Sequence, residues 1–190
     1  MDDNGRYIPV VDRFASAEHS TGLKPLADYI HSLGPNFSIH IRRGIQRETA
    51  AKDLPIAGSL YRAAEASDTA DAGPWSAYSC GAKKSPATQG YYDSIASLYA
   101  SSGVDFVKAD CISGHPYKPN EIRMLSVALK KPRPAIVLSL CLGPTSLQKA
   151  NEMAKHAEMW RIAGSGSICP SQLLWCTIPG TRRTWELPAN

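Results

Sequence analysis

Lys108 and Asp110 close an apolar, strand-like run that begins at Val104, within SSGVDFVKADCISG at residues 101–114. Side chains on a strand alternate with period two, so Lys108 and Asp110 face one way and Val107 and Ala109 the other. An ion pair capping a strand would use these residue types. So would a catalytic carboxylate kept ionised by a neighbouring ammonium. Other polar groups gather at the ends of similar runs: His40 with Arg42 and Arg43, Ser139 with Cys141, and Arg161. Hydrogen-bond donors and acceptors of this kind suit a small hydroxylated ligand.

The elements that must hold these residues repeat along the chain. Leu26, Ile30 and Leu33 fall on one helical face within residues 23–33, Gly34 ends that face, and Phe37-Ser38-Ile39-His40-Ile41 then alternates as a strand. Residues 90–100, with Ile95, Leu98 and Tyr99, form a second helix, followed by Gly103 and a strand from Val104 to Lys108. Ile122, Leu125 and Leu129 mark a third helix before the apolar run 135–140, and Leu147, Ala150, Ala154 and Ala157 lead into Met159-Trp160-Arg161-Ile162. Apolar strands separated by helices of about three turns indicate a parallel sheet covered by right-handed crossovers, in which ligands bind at the carboxyl ends of the strands.

Composition narrows the remaining classes. The chain has 190 residues, 43% hydrophobic and 20% charged, which is enough for one core. Its net charge of +4 is spread over Lys83-Lys84, Lys130-Lys131-Arg133 and Arg182-Arg183 without a basic stripe, so neither a nucleic-acid partner nor a membrane is expected. No glycine-rich phosphate loop follows any strand, the five cysteines form no Cys-x-x-Cys pair, and no cofactor or metal is expected. The residues after Met1 lack the basic and apolar regions of a secretion signal, so the chain as written reads as cytosolic.

The segments GLKPLADYIHSLG, IHIRRGI, GYYDSIASLYASSGVDFVKADC and MWRI stand in the order and spacing that resemble the melibiase family of glycoside hydrolases, family twenty-seven, and its plant α-galactosidase-like members in particular. The resemblance runs from Gly5-Arg6 to Ile162. It implies an α/β fold, a partial (β/α)8 TIM barrel keeping four parallel strands, the third to the sixth of eight. It also implies cleavage of terminal α-galactosyl residues from a small carbohydrate substrate with retention of configuration. By resemblance, Asp110 is the nucleophile, Lys108 reaches the sugar hydroxyls, His40 lines the pocket, and Arg161 opens an Arg-x-x-x-Asp motif. A Cys80–Cys111 bridge is a further candidate from the same source. Relatives of this kind can be extracellular, vacuolar or plastid-associated, which leaves the compartment open.

Retaining glycosidases need a carboxylate nucleophile and a second carboxylic acid roughly 5–5.5 Å away. Here the fourth residue after Arg161 is Ser165, in RIAGSGSICPSQ, and a serine hydroxyl cannot supply an acid near neutral pH. Weak or absent turnover is therefore expected. A sugar-binding pseudo-enzyme and an unstable product of a truncated gene are the alternatives. Residues 1–162 are expected to form the partial barrel and residues 163–190 a divergent, irregular tail. An unclosed barrel exposes sheet edges, so self-association through them is expected. Trp75 and Tyr78 could stack on sugar or cover the core, and His31 and His156 are expected at the surface of their helices.

Overall fold

The computed structural model describes residues 1–20, 22–72, 77–141, 143–162 and 175–177. In chain order its elements are α1 (Lys24–Ser32), β1 (Ser38–Arg42), β2 (Ile45–Gln46), α2 (Arg47–Ala51), α3 (Ala63–Ala66), β3 (Ser67–Ala72), β4 (Ser79–Ala82), α4 (Pro86–Ser101), β5 (Phe106–Asp110), α5 (Pro119–Leu129), β6 (Val137–Leu140), α6 (Ala150–His156), β7 (Met159–Arg161) and β8 (Trp175–Thr177). The main sheet has the order β1-β5-β6-β7-β8. Its first four strands are parallel and β8 is antiparallel to β7. This is the expected α/β class with four parallel strands, and the sheet remains open.

Period-two alternation gives the sheet two unlike faces. Val107, Ala109, Leu138, Leu140 and Trp160 are all buried and share one core with Tyr91, Tyr92 and Ile95 of α4, Ile122, Leu125 and Leu129 of α5, and Met153 of α6. The opposite face carries Ser38, His40, Arg42, Lys108, Asp110 and Ser139. α4 begins at Pro86, a residue suited to the first helical turn, and its cap Ser85 accepts a hydrogen bond from the Thr88 amide at 3.2 Å. Buried apolar side chains on α4 and α5 hold these helices against the sheet, because helices of this length owe more to packing than to propensity.

Asp105 joins three elements just before β5. Its Oδ2 accepts from the Phe37 amide at 2.9 Å and lies 2.7 Å from Nε2 of His31 on α1. His31 is therefore half-exposed and anchored to Asp105, a tie that helical periodicity alone could not reveal.

The long stretch between β1 and α4 shows neither helical nor strand periodicity in sequence, yet it holds a second sheet, antiparallel in the order β2-β4-β3, with the short helices α2 and α3. Two glycines make this insertion possible. Gly44 has φ +82°, and a Cβ there would lie 1.9 Å from the Cys80 carbonyl oxygen. A Cβ on Gly81 would lie 2.3 Å from the Asp71 carboxylate, which must cross that position.

Leu125 lies in the centre of α5 and is 1% exposed. Leu125→Ala is expected to lower the unfolding free energy by about 2–5 kcal/mol in urea titrations, through lost burial and a residual cavity.

Candidate active site

β5 runs two residues beyond the boundary that sequence periodicity gives, so both Lys108 and Asp110 lie inside the strand. The register sets His40 beside Lys108 and Arg42 beside Asp110 on one side, with Ser139 beside Lys108 on the other. These side chains share the sheet face away from the helices. His40 reaches diagonally across the strand pair, and its Nε2 lies 2.7 Å from Asp110 Oδ2. The Asp110 side chain is 14% exposed and that of His40 is 52% exposed, so the pair stands at a boundary between protein and solvent.

The second carboxylate oxygen, Asp110 Oδ1, is buried without a hydrogen-bond partner among the described residues, and so is the Ser139 hydroxyl. Unpaired buried polar atoms cost roughly 1–3 kcal/mol each, which makes two of them on one face a mark of a place prepared for something else. Among the described residues no ion pair engages the Lys108 ammonium. Arg161 closes β7 two strands away, and its carbonyl accepts from the Thr145 amide at 2.8 Å. Of the residues singled out from sequence, His40, Lys108 and Asp110 thus come together directly, while Arg161 stands further along the same sheet end. Ser165 and Trp75 lie outside the described residues, and Tyr78 is exposed.

The Asp2-Asp3 pair is not free to act on a ligand through Asp2. Asp2 Oδ1 accepts from the Asn4 and Arg6 amides at 3.0 and 2.8 Å, and its Oδ2 pairs with Arg6 Nε at 2.7 Å. The candidate bridge is absent: Cys80, Cys111 and Cys141 are free thiols. Cys80 instead turns its Sγ toward the Ile45 carbonyl 3.4 Å away, on the β2–β4 pair. Burial pushes the thiols of Cys80 and Cys111 above the usual cysteine range, and the Asp110 charge adds to the effect on Cys111.

A buried ionic network beneath the site is not evident from residue spacing. Arg43, the residue after β1, pairs with Glu121 at 2.5 Å and Asp71 at 2.8 Å; Lys118 also reaches Asp71, at 2.7 Å. Tyr92 donates to the other Glu121 oxygen at 3.2 Å. The Arg43 and Glu121 side chains are 4% and 3% exposed. Burial raises the Glu121 pKa, with Arg43 opposing it. Burial would also raise that of Asp71, but bonds from Lys118 and Arg43 outweigh it and hold the carboxyl below the usual aspartate value. The network fastens the inserted sheet and the start of α5 to the carboxyl end of β1. Its only sequence signal was an arginine pair ending a strand.

No protein-family model matches the chain. In sequence it is 29% identical over 141 residues to an α-galactosidase of Coffea arabica, covering 74% of this chain and 27% of that protein. In structure it matches a family 27 glycoside hydrolase, a β-L-arabinopyranosidase from Geobacillus stearothermophilus solved with arabinose, at a TM-score of 0.82 and 42% identity. That match covers 86% of this chain and 39% of the arabinopyranosidase. A putative α-N-acetylgalactosaminidase from Bacillus halodurans gives a TM-score of 0.73 at 40% identity, over 77% of this chain and 35% of that one. The chain is thus similar in sequence and fold to the melibiase-like proteins of glycoside hydrolase family 27, over less than half of their length.

Two measurements test the network. Arg43→Met leaves Glu121 buried without its partner, and a loss of about 3–5 kcal/mol is expected in chemical denaturation. Asp71 has a depressed pKa, so its contribution is present above the ordinary aspartate pKa of about 3.9 and is lost as pH falls through the lower folded value. Asp71→Asn is therefore expected to be less stable at neutral pH and to lose less stability than the parent chain on acidification below about pH 4.

Proposed function

We propose that this chain is the central part of a retaining glycosidase site for α-galactosides and sugars of like ring stereochemistry, with Asp110 as nucleophile. The observation that carries the reading is the Asp110 carboxylate, held through Oδ2 by His40 at the carboxyl end of parallel strands while Oδ1 has no partner. One oxygen fixes the orientation and the other is left to meet an anomeric carbon. Lys108 and His40, on the same sheet face, would donate to ring hydroxyls, and Arg161 would bind at the far side of the cleft. β-L-Arabinopyranose has the ring stereochemistry of α-D-galactopyranose without the exocyclic hydroxymethyl group. Names as different as α-galactosidase and β-L-arabinopyranosidase among the similar proteins therefore describe closely related substrates.

In this reading Asp110 attacks the anomeric carbon to form a glycosyl ester, and water later hydrolyses it. The sequence offers Ser165 where the family motif has its acid. Loss of general acid–base help costs about 10²- to 10⁴-fold in rate, or roughly 3–5 kcal/mol of barrier. A leaving group that needs no protonation escapes the first part of that penalty. An activated aryl α-galactoside is therefore expected to release a burst of aryl alcohol approaching one equivalent, with slow turnover afterwards. Asp110→Asn should abolish the burst. Galactose binding with no burst would instead support a sugar-binding protein without turnover, the reading that Ser165 favours.

Self-association belongs to the same reading. β1 is an outer strand of the sheet, and an apolar groove of about 540 Å³ lined by Tyr7, Ile8, Phe14, Leu26, Ile39 and Ile41 follows it. An open strand edge beside exposed apolar surface favours pairing between copies. Sedimentation of the 20.6 kDa chain is expected to show species heavier than the monomer. A sharp cooperative melt at monomer mass would overturn this.

A further inference from the structure

A glycosyl ester on Asp110 must be opened again, and a serine at position 165 cannot activate water for that step. The acids of the buried network are already engaged: Asp71 pairs with Arg43 and Lys118, and Glu121 is buried against Arg43 and Tyr92. Lys108 carries an ammonium, which only donates. His40 is different. Its Nε2 lies 2.7 Å from Asp110 Oδ2 and its side chain is 52% exposed, so the ring meets the reacting carboxylate and water at the same time. Imidazole is also the side chain that most often serves as a base near neutral pH.

The contact decides which bond His40 can help to break. In the first step Oδ1, which has no partner among the described residues, becomes the oxygen joined to the anomeric carbon. Oδ2 then becomes the carbonyl oxygen of the ester, and it is the oxygen at which His40 stands. Esterification removes the negative charge facing Nε2, and that nitrogen is then free to accept a proton from water. A water held by Nε2 lies next to the carbonyl oxygen and within reach of the carbon that carries it, Cγ of Asp110. The anomeric carbon lies beyond Oδ1, on the far side of the carboxyl group. Attack at Cγ builds negative charge on Oδ2, which calls for a cation nearby. Lys108 shares the sheet face with Asp110, and among the described residues no ion pair engages its ammonium. The Arg43 amide donates to the main-chain carbonyl of Asp110 at 3.1 Å and holds the strand end in place.

We propose that His40 is the general base of the second step, and that water opens the galactosyl ester at Cγ of Asp110 instead of at the sugar. This rests on the reading of Asp110 as nucleophile and departs from the usual retaining course after the first step. Water gives a proton to Nε2 as its oxygen bonds to Cγ. The Cγ–Oδ1 bond then breaks, galactose leaves with Oδ1 as its anomeric oxygen and takes the proton from Nε2, and the carboxyl proton passes to solvent. Asp110 keeps the oxygen of the water. The first step inverts the anomeric carbon and the second leaves it untouched, so an α-galactoside gives β-galactose.

Turnover of an activated aryl α-galactoside by the full chain in water enriched in oxygen-18 tests the proposal. Mass spectrometry of the peptide that carries Asp110 should show one heavy oxygen gained after turnover, and none without substrate or in Asp110→Asn. NMR should show β-galactose as the first-formed anomer. His40→Gln should keep the burst of aryl alcohol, slow the turnover that follows by about 10²-fold or more, and leave the galactosyl ester on the protein. Imidazole added to His40→Ala should restore turnover, which a merely structural role for His40 would not allow. Turnover that leaves Asp110 unlabelled and yields α-galactose, or a burst with no turnover after it, overturns the role of His40 while Asp110 stands as nucleophile. No burst from the parent chain overturns both. The label is read in the parent chain, so a His40 variant that fails to fold leaves the outcome decided.

Discussion

Parallel pairing of β1, β5 and β6 is the constraint from which the rest of this structure follows. With strands in parallel register, residues of equal phase line up across the sheet, so toward the carboxyl ends a polar residue on one strand is matched by a polar residue on the next. His40, Lys108 and Ser139 form one such row, and Arg42 and Asp110 the row beyond it. The opposite phase of β5 and β6 is hydrocarbon, buried in one core with α4 and α5, while Ile39 and Ile41 of β1 are partly buried against that core. A single-residue slip of β5 would turn Asp110 into that hydrocarbon and bring Ala109 to the open face. Burial of Val107 and Ala109 therefore fixes the direction of the carboxylate more firmly than any contact the carboxylate itself makes.

The buried ions do a different task. Arg43, Glu121, Asp71 and Lys118 join three segments that are far apart in sequence: the exit from β1, the inserted sheet and the start of α5. Such a network gives little net stability over a hydrocarbon replacement, because desolvation offsets attraction. Its contribution is positional. The guanidinium can satisfy both carboxylates only when the inserted sheet lies across the end of β1, so the loop beside His40 and Asp110 is held in one place. Tyr92 adds a hydrogen bond to Glu121 from α4, and the helix layer thereby joins the arrangement.

Much of the central fold was legible because its signals are local. Strand alternation and helical spacing marked β1, β5, β6 and β7 with their helices, and the pairing order confirmed a parallel α/β sheet. The inserted sheet was not legible. Its strands are two to six residues long, rich in alanine, serine and glycine, and take their stability from pairing and from the Arg43 network rather than from an apolar pattern. The Cys80–Cys111 bridge that the family resemblance implied is absent because the orientation of Cys80 is set by β2–β4 pairing, toward Ile45.

The sequence by itself determined which residues share a face, because period-two alternation is a property of the chain and needs no partner. It placed Lys108 and Asp110 together and set Val107 and Ala109 against them. Only the tertiary structure decided that His40, 70 residues from Asp110, would be the group in contact with it, and that Oδ1 would be left without a partner among the described residues. Those facts depend on which strands lie side by side and in what register. Long-range pairing sets them, through burial summed over the whole sheet, and no short stretch of residues encodes that sum.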